Sequence, residues 1–196
     1  MTAFRFTYLQ AGRALAASAV LLLHASHFTQ AVATKMPDLL YRILQFGYLG
    51  VDYFFVLSGF IISYSYSASA GARTTEEFLW RRAIRIYIPY WPIAIPVGMA
   101  AWLSGGFGLP WSWAETITLL PISAPPALAV AWTLQHELLF YLSLALIVPR
   151  GGFAALALFW TVCVLAGFLL EAFWPSQQIW RPLTFLFNPV NLNFVF

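Results

Sequence analysis

The feature that most constrains this chain is the length of its uncharged stretches. Of its 196 residues, 9% are charged and 61% are hydrophobic. Four stretches contain no Asp, Glu, Lys or Arg: residues 53–72, 86–114, 151–170 and 182–196. A helix of about 20 apolar residues crosses roughly 30 Å of hydrocarbon. The sequence therefore predicts an all-α, polytopic transmembrane helical bundle, in which the few polar groups at membrane depth are candidates for function.

Apolar runs and the residues that break them predict where the helices lie. We expect about five to six spans, with helices near 8–30, 46–68, 83–104, 131–148 and 153–173 and a last one starting near 182. Pro121, Pro125 and Pro126 would interrupt a regular helix, so residues 114–130 are expected to form a short or re-entrant helix. The apolar stretch at the C-terminus resembles the opening of another span, and we expect a truncated chain.

Arginine placement predicts the orientation in the membrane. Four arginines lie between the second and third predicted helices: Arg73, Arg81, Arg82 and Arg85. Cytoplasmic loops carry an excess of Lys and Arg, so this segment and the N-terminus are expected to be cytoplasmic. No run of Lys or Arg resembles a nucleic-acid-binding patch. The single cysteine, Cys163, excludes an internal disulfide and a cysteine-based metal site.

Arg13 and His24 are candidate functional residues of the first helix. His24 follows Arg13 by eleven residues, and eleven helical steps return to nearly the same face of the helix. The two residues are then separated by about 16 Å along the helix axis. His24 is then expected near mid-membrane, where a neutral imidazole can take a proton from an alcohol as a general base. The alternative is a histidine that hydrogen-bonds a neighbouring helix for packing. His27 lies nearer the outer interface, and simple solvation is the favoured interpretation for it.

Asp52, Arg82 and Arg85 are charged groups at the edges of apolar helices. Asp52 can orient a histidine or an arginine by accepting a hydrogen bond, or can satisfy free backbone N–H groups at a helix start. Arg82 and Arg85 share one face at the expected N-terminus of the third helix, where the helix dipole favours anions. Guanidinium groups bind phosphate, so the pair is a candidate site for a coenzyme A thioester. Topology anchors or lipid-headgroup contacts are the alternative.

Glu137 lies in an apolar stretch, where an unpaired carboxylate is costly. Its candidate cationic partners are His24, Arg13 and the Arg82/Arg85 pair, so the simplest expectation is that all of them face one polar cavity. His136 is adjacent but points about 100° away from Glu137. Glu137 is therefore the preferred candidate.

Four segments in this order resemble acyltransferase family 3, the bacterial integral-membrane O-acyltransferases that modify surface polysaccharides. They are Arg13-Ala14-Leu15-Ala16-Ala17 followed by His24; Gly50–Phe60; Arg82-x-x-Arg85 with Tyr87, Pro89 and Tyr90; and Trp132-Thr133-Leu134-x-x-Glu137-x-x-Phe140-Tyr141. The resemblance covers residues 8–141. It implies transfer of an acyl group, most simply acetyl, from a cytoplasmic acyl-CoA to a hydroxyl of a lipid-linked or exported glycan at the bacterial inner membrane.

The resemblance also implies roles for single residues. His24 is expected to be catalytic, with Arg13 as a functional partner and Glu137 as a functional acid. Substrate-binding roles are expected for Arg82, Arg85, Asp52, Tyr87 and Trp132. Acyl-CoA is a substrate in this scheme, and neither a bound cofactor nor a metal is expected. Family members usually have about ten membrane helices, so residues 1–196 are expected to be the N-terminal part of a single membrane-embedded domain.

Two other functions use the same features. A transporter or flippase of an anionic lipid-linked sugar needs the arginines and the cavity without the chemistry. Transporters often contain repeated halves with broken helices, and no repeat is visible in this sequence. An inactive fragment or a scaffold for polysaccharide assembly is the third possibility.

Overall fold

A computed structural model describes residues 2–32, 36–68, 74–105, 110–173 and 181–195. Within these ranges the chain forms α-helices and short 3-10 segments and contains no strand. The α-helices are α1 Thr2–Val32, α2 Asp38–Gln45, α3 Leu49–Ala68, α4 Thr75–Leu103, α5 Trp113–Thr118, α6 Trp132–Phe173 and α7 Arg181–Leu186. The 3-10 segments are Phe46–Tyr48, Ala129–Ala131 and Pro189–Phe194. The predicted all-α fold is confirmed.

Three helical stretches of the described chain are long and apolar enough to cross a membrane. They are Asp38–Ser67, Thr75–Leu103 and Ala129–Phe173. Large apolar side chains such as Trp102, Leu158 and Phe173 are exposed on the last two of them. Such surfaces are costly in water and are solvated by lipid chains. The protein is therefore a membrane protein.

The chain forms two compact units, Met1–Ile62 and Ser63–Phe196. In the first unit, α1 packs against α2 and the 3-10 segment that leads into α3. Gly50 permits this close approach, because a Cβ at this position would lie 2.7 Å from the carbonyl oxygen of Ala16. The start of α3 is thereby held directly against the backbone of α1.

In the second unit, α4 begins at Thr75 and not near residue 83 as predicted. Thr74 is the N-cap, and its Oγ1 accepts a hydrogen bond of 3.2 Å from the backbone N–H of Glu77. Glu76 and Glu77 lie in the first turn, where negative charge is favourable. The predicted start is wrong by about two turns, because a segment this rich in charged residues is equally typical of a loop between spans.

Residues 114–130 were expected to form a short or re-entrant helix, and the helix found there, α5, is short. It has six residues and ends at Thr118, followed by Leu119, whose φ of 57° is left-handed. The last carbonyls of a helix lack intrahelical partners and need other donors. Side chains of α4 supply them: Tyr90 Oη donates to Thr116 O (2.9 Å), Trp91 Nε1 to Ile117 O (3.0 Å) and Tyr87 Oη to Thr118 O.

The contacts at the two ends of α5 show that this helix runs back along α4. The ring of Trp113, at the start of α5, packs on Gly98, where a Cβ would lie 2.7 Å from the ring. The end of α5 is bonded to Tyr87, eleven residues closer to the start of α4. The two helices are therefore antiparallel, and the segment between α4 and α6 is re-entrant along α4.

α6 contains a break that divides it into two arms. Gly152 has φ 69° and ψ −175°, which is not helical and is accessible essentially to glycine alone. The break falls between the predicted helices 131–148 and 153–173, three residues after Pro149. A straight helix of 42 residues would be about 63 Å long, roughly twice the hydrocarbon thickness.

The last described segment is short. α7 begins at Arg181, one residue before the predicted start, and has six residues. Asn188 caps the 3-10 segment that follows, accepting a hydrogen bond of 3.0 Å from Val190 N–H. The described part of α7 is about 9 Å long, which is too short to cross a bilayer.

Candidate active site

A cluster of charged and aromatic side chains joins α4 and α6 in the second unit. The guanidinium carbon of Arg82 lies 5.5 Å from the ring centroid of Phe78 and 5.4 Å from that of Tyr141. The Tyr141 hydroxyl donates a hydrogen bond to Oε1 of Glu137. Tyr141 is 2% exposed, whereas Arg82 and Glu137 are half-buried. The cluster thus connects a cation, a buried phenol and a carboxylate through successive contacts.

Helical spacing brings these side chains together. Phe78 and Arg82 are four residues apart on α4, and Glu137 and Tyr141 are four residues apart on α6. Residues at this spacing are neighbours on one helix face. Tyr141 belongs to the predicted motif without a role of its own, and Phe78 was not predicted, although the same spacing identifies both as neighbours of predicted residues.

Arg82 and Arg85 are three residues apart on α4, a spacing that puts both on one face of the helix. Their predicted place at a helix N-terminus is wrong. α4 begins at Thr75, so Arg82 is its eighth residue, and the dipole effect is confined to the first turn. An anion at these arginines would be bound by guanidinium charge and hydrogen bonds, and not by the helix dipole.

Arg81 differs from Arg82 and Arg85 in its contacts. Its Nη2 lies 2.8 Å from Oε1 of Glu77 in an exposed pair one turn apart. Its Nε donates to the same oxygen at 3.0 Å. Such a pair on the surface contributes little to stability. Arg81 is therefore a suitable reference for tests of Arg82.

His136 and Glu137 have different surroundings, as the helical offset predicts. His136 is 1% exposed, and its ring stacks on Phe185 with centroids 4.6 Å apart. Nδ1 of His136 lies 2.8 Å from Oδ1 of Asn191. Trp132 meets His136 edge-on, with centroids 5.7 Å apart. The His136 ring packs α6 against residues 181–195, and the substrate-binding role of Trp132 stays a prediction.

Tyr87 lies on α4, and its substrate-binding role stays a prediction. Three other predicted residues belong to the first unit. Arg13 lies on α1, with its guanidinium carbon 5.9 Å from the ring centroid of Phe54. His24 is exposed on the same helix, and Asp52 lies in the first turn of α3, at a helix start as predicted. That Arg13 and His24 share a cavity with Glu137 stays a prediction.

Glu115 is a buried carboxylate that the sequence analysis did not single out. It is 0% exposed, and its Oε1 accepts hydrogen bonds from Ser123 Oγ (2.9 Å), Ala124 N (3.0 Å) and Ser123 N. Burial alone would raise the pKa of this carboxyl, but these bonds and one with Ser112 lower the pKa to about 2. Glu115 is thus ionised at neutral pH and holds the loop after α5 in place.

Among the residues that the structure describes, no group of three or more His, Cys, Asp or Glu side chains could hold a metal ion. Cys163 is a free, buried thiol.

Comparison with known proteins identifies the family. The model of the acyltransferase domain of family 3 matches residues 6–196, a range that includes all the candidate residues from Arg13 to Tyr141. No curated protein and no solved structure matches the chain. The match covers almost the whole sequence, and the chain therefore belongs to acyltransferase family 3.

Proposed function

We propose that the protein is a membrane-bound O-acyltransferase. It moves an acyl group, most simply acetyl, from acyl-CoA to a hydroxyl of a cell-surface or exported glycan or of its lipid-linked precursor. The family supports acyl transfer. The observation that carries the proposal is the contact chain from Arg82 through Tyr141 to Glu137, which links a cation to a carboxylate through one buried phenol.

The donor site of this proposal is the Arg82/Arg85 pair. The guanidinium carbon of Arg82 lies over two aromatic rings, 5.5 Å from the Phe78 centroid and 5.4 Å from the Tyr141 centroid. Edge N–H groups are the ones that bind phosphate oxygens in bidentate fashion. Arg85 is exposed on the same stretch of α4 and adds a second positive charge. Coenzyme A carries several phosphate groups that suit such a pair.

His24 is the general base of the proposed reaction. It takes the proton of the acceptor hydroxyl as the oxygen attacks the thioester carbonyl. The new C–O bond forms, the C–S bond breaks, and the coenzyme A thiolate leaves and takes the proton back from the imidazolium. Cationic or N–H groups stabilise the oxyanion in between. Arg13, on the same helix, is proposed as its functional partner.

The donor is cytoplasmic in this proposal. The N-terminus and the Arg82 end of α4 then face the cytoplasm, in a bacterial inner membrane. This orientation agrees with Arg73 before α4 and with the three arginines in the first half of α4, as expected from the excess of positive charge on the cytoplasmic side.

The test measures thioester consumption in proteoliposomes that contain acetyl-CoA and a bacterial membrane extract rich in lipid-linked saccharides. Hydrogen bonds to a charged group contribute about 1.5–3 kcal/mol, so Arg82→Ala is expected to raise the KM for acetyl-CoA about tenfold or more. Arg81→Ala serves as the matched control and is expected to stay close to wild type. His24→Ala is expected to lower kcat by about 100-fold or more.

Two results would refute the proposal. Full activity of His24→Ala, with normal membrane insertion, excludes this histidine as the base. Absence of thioester consumption by the wild-type protein, together with movement of the lipid-linked sugar across the bilayer, favours the transporter.

A further inference from the structure

A chain of hydrogen bonds ties His27 of α1 to α2 in the first unit. Nε2 of His27 lies 2.9 Å from Oε1 of Gln45. Nε2 of Gln45 donates to Oγ of Ser26 at 3.4 Å. Oγ of Ser26 in turn donates to the carbonyl oxygen of Leu23 at 2.7 Å, and Ser26 is 1% exposed. The interpretation of His27 as a merely solvated side chain is therefore wrong.

This chain determines which nitrogen of His27 carries a proton. The single hydroxyl hydrogen of Ser26 goes to Leu23, so its oxygen must accept from the amide nitrogen of Gln45. The amide oxygen of Gln45 then faces His27 and can only accept. Nε2 of His27 therefore carries the hydrogen, and one tautomer of the neutral ring is selected.

His27 is also the neighbour of His24. The two rings lie one helical turn apart and meet edge to face, with centroids 6.5 Å apart and an interplanar angle of 86°. Tyr41 of α2 lies near the same ring, with centroids 6.2 Å apart. The His27 ring is thus held by α2 and touches the ring of the proposed base.

We propose that His27 is a positioning residue for His24, and that Gln45 fixes its orientation. The inference rests on the proposed function, in which His24 is the general base. An exposed histidine on a single helix can populate several rotamers, whereas an edge-to-face contact with a fixed ring favours one of them several-fold. A base that is held in one orientation reacts faster than one that must find it.

The spectroscopic test uses the three histidines of the chain, His24, His27 and His136. Ring-labelled histidine gives one set of NMR signals for each in the full chain in detergent micelles. Gln45→Leu is expected to convert His27 from one tautomer to a mixture and to shift the His24 signal. His136 lies in the second unit, and its signal is expected to stay unchanged. Gln10→Leu, the same change at an exposed position of α1, is the matched control and is expected to shift none of the three.

The kinetic test separates positioning from folding. His27→Ala is expected to lower kcat about tenfold with an unchanged KM for acetyl-CoA. His27→Phe keeps a ring beside His24 and is expected to recover most of the loss.

An unchanged His24 signal in Gln45→Leu overturns the proposal, as does a loss in His27→Ala that His27→Phe does not recover. Failure of the proposed function gives a different result. The wild type then consumes no acetyl-CoA, while the NMR signals still decide whether Gln45 orients His27 and His27 orients His24.

Discussion

Replacing Glu115 by glutamine is expected to destabilise the protein by about 3 kcal/mol at neutral pH. The carboxylate is fully buried, and burial alone would raise its pKa, yet the hydrogen bonds from Ser112, Ser123 and Ala124 hold the pKa at about 2. The ordinary glutamate pKa is about 4.3, and each pH unit of difference corresponds to about 1.4 kcal/mol. Glutamine keeps the shape and one acceptor oxygen but loses the charge that strengthens these bonds.

The sign of the pH dependence follows from the direction of the shift. The folded-state pKa lies below the unfolded-state pKa, so the stabilisation is complete above about pH 4.3 and is lost as the pH falls towards about 2. Thermal unfolding in detergent micelles, followed by circular dichroism between pH 7 and pH 2, measures it. The wild type and Glu115→Gln are expected to differ most at pH 7 and to converge in acid.

Glu171→Gln is the matched control, because this carboxylate is exposed near the end of α6. It is expected to unfold like the wild type at every pH. Equal stability of Glu115→Gln and wild type at pH 7 would refute the reasoning. So would a difference between the two proteins that stays constant from pH 7 to pH 2.

Two further substitutions test the geometry of the second unit by thermal unfolding. Gly152→Ala is expected to lower the free energy of unfolding by about 1–3 kcal/mol. Backbone strain alone is responsible, because a Cβ at this position has no heavy atom within 4 Å. An unchanged unfolding temperature would contradict the break in α6. Tyr90→Phe leaves the carbonyl of Thr116 without its 2.9 Å donor and is expected to cost about 1–3 kcal/mol. Tyr48→Phe, at an exposed position, is the control, and an equal effect of the two would contradict the contact between α4 and α5.

The fold class and the breaks between helices were predictable from residue types. Long uncharged stretches predict helices in lipid, and Pro149 with Gly152 marks the break in α6. The start of α4 was also readable, because Thr74 and Glu77 have the spacing of a capping box. It was missed since Glu76 and the arginines after it form a charged segment that is equally typical of a cytoplasmic loop.

The candidate site was predictable only in part. Glu137 and Arg82 were identified by their charge in apolar surroundings. The residues that lie one helical turn from each of them follow from helical periodicity. Contacts between distant residues have no such period. The bond between His136 and Asn191 joins residues 55 positions apart. The bonds of Glu115 depend on how an irregular loop folds, which no sequence pattern determines.

The hydrogen bond from Tyr87 to Thr118 has a consequence for ligands. A phenol has one hydrogen to give, and that of Tyr87 is already given to the end of α5. A substrate that takes this hydrogen must first expel the carbonyl of Thr118. A substrate that accepts a hydrogen bond from Tyr87 therefore competes with the end of α5 for the same hydrogen.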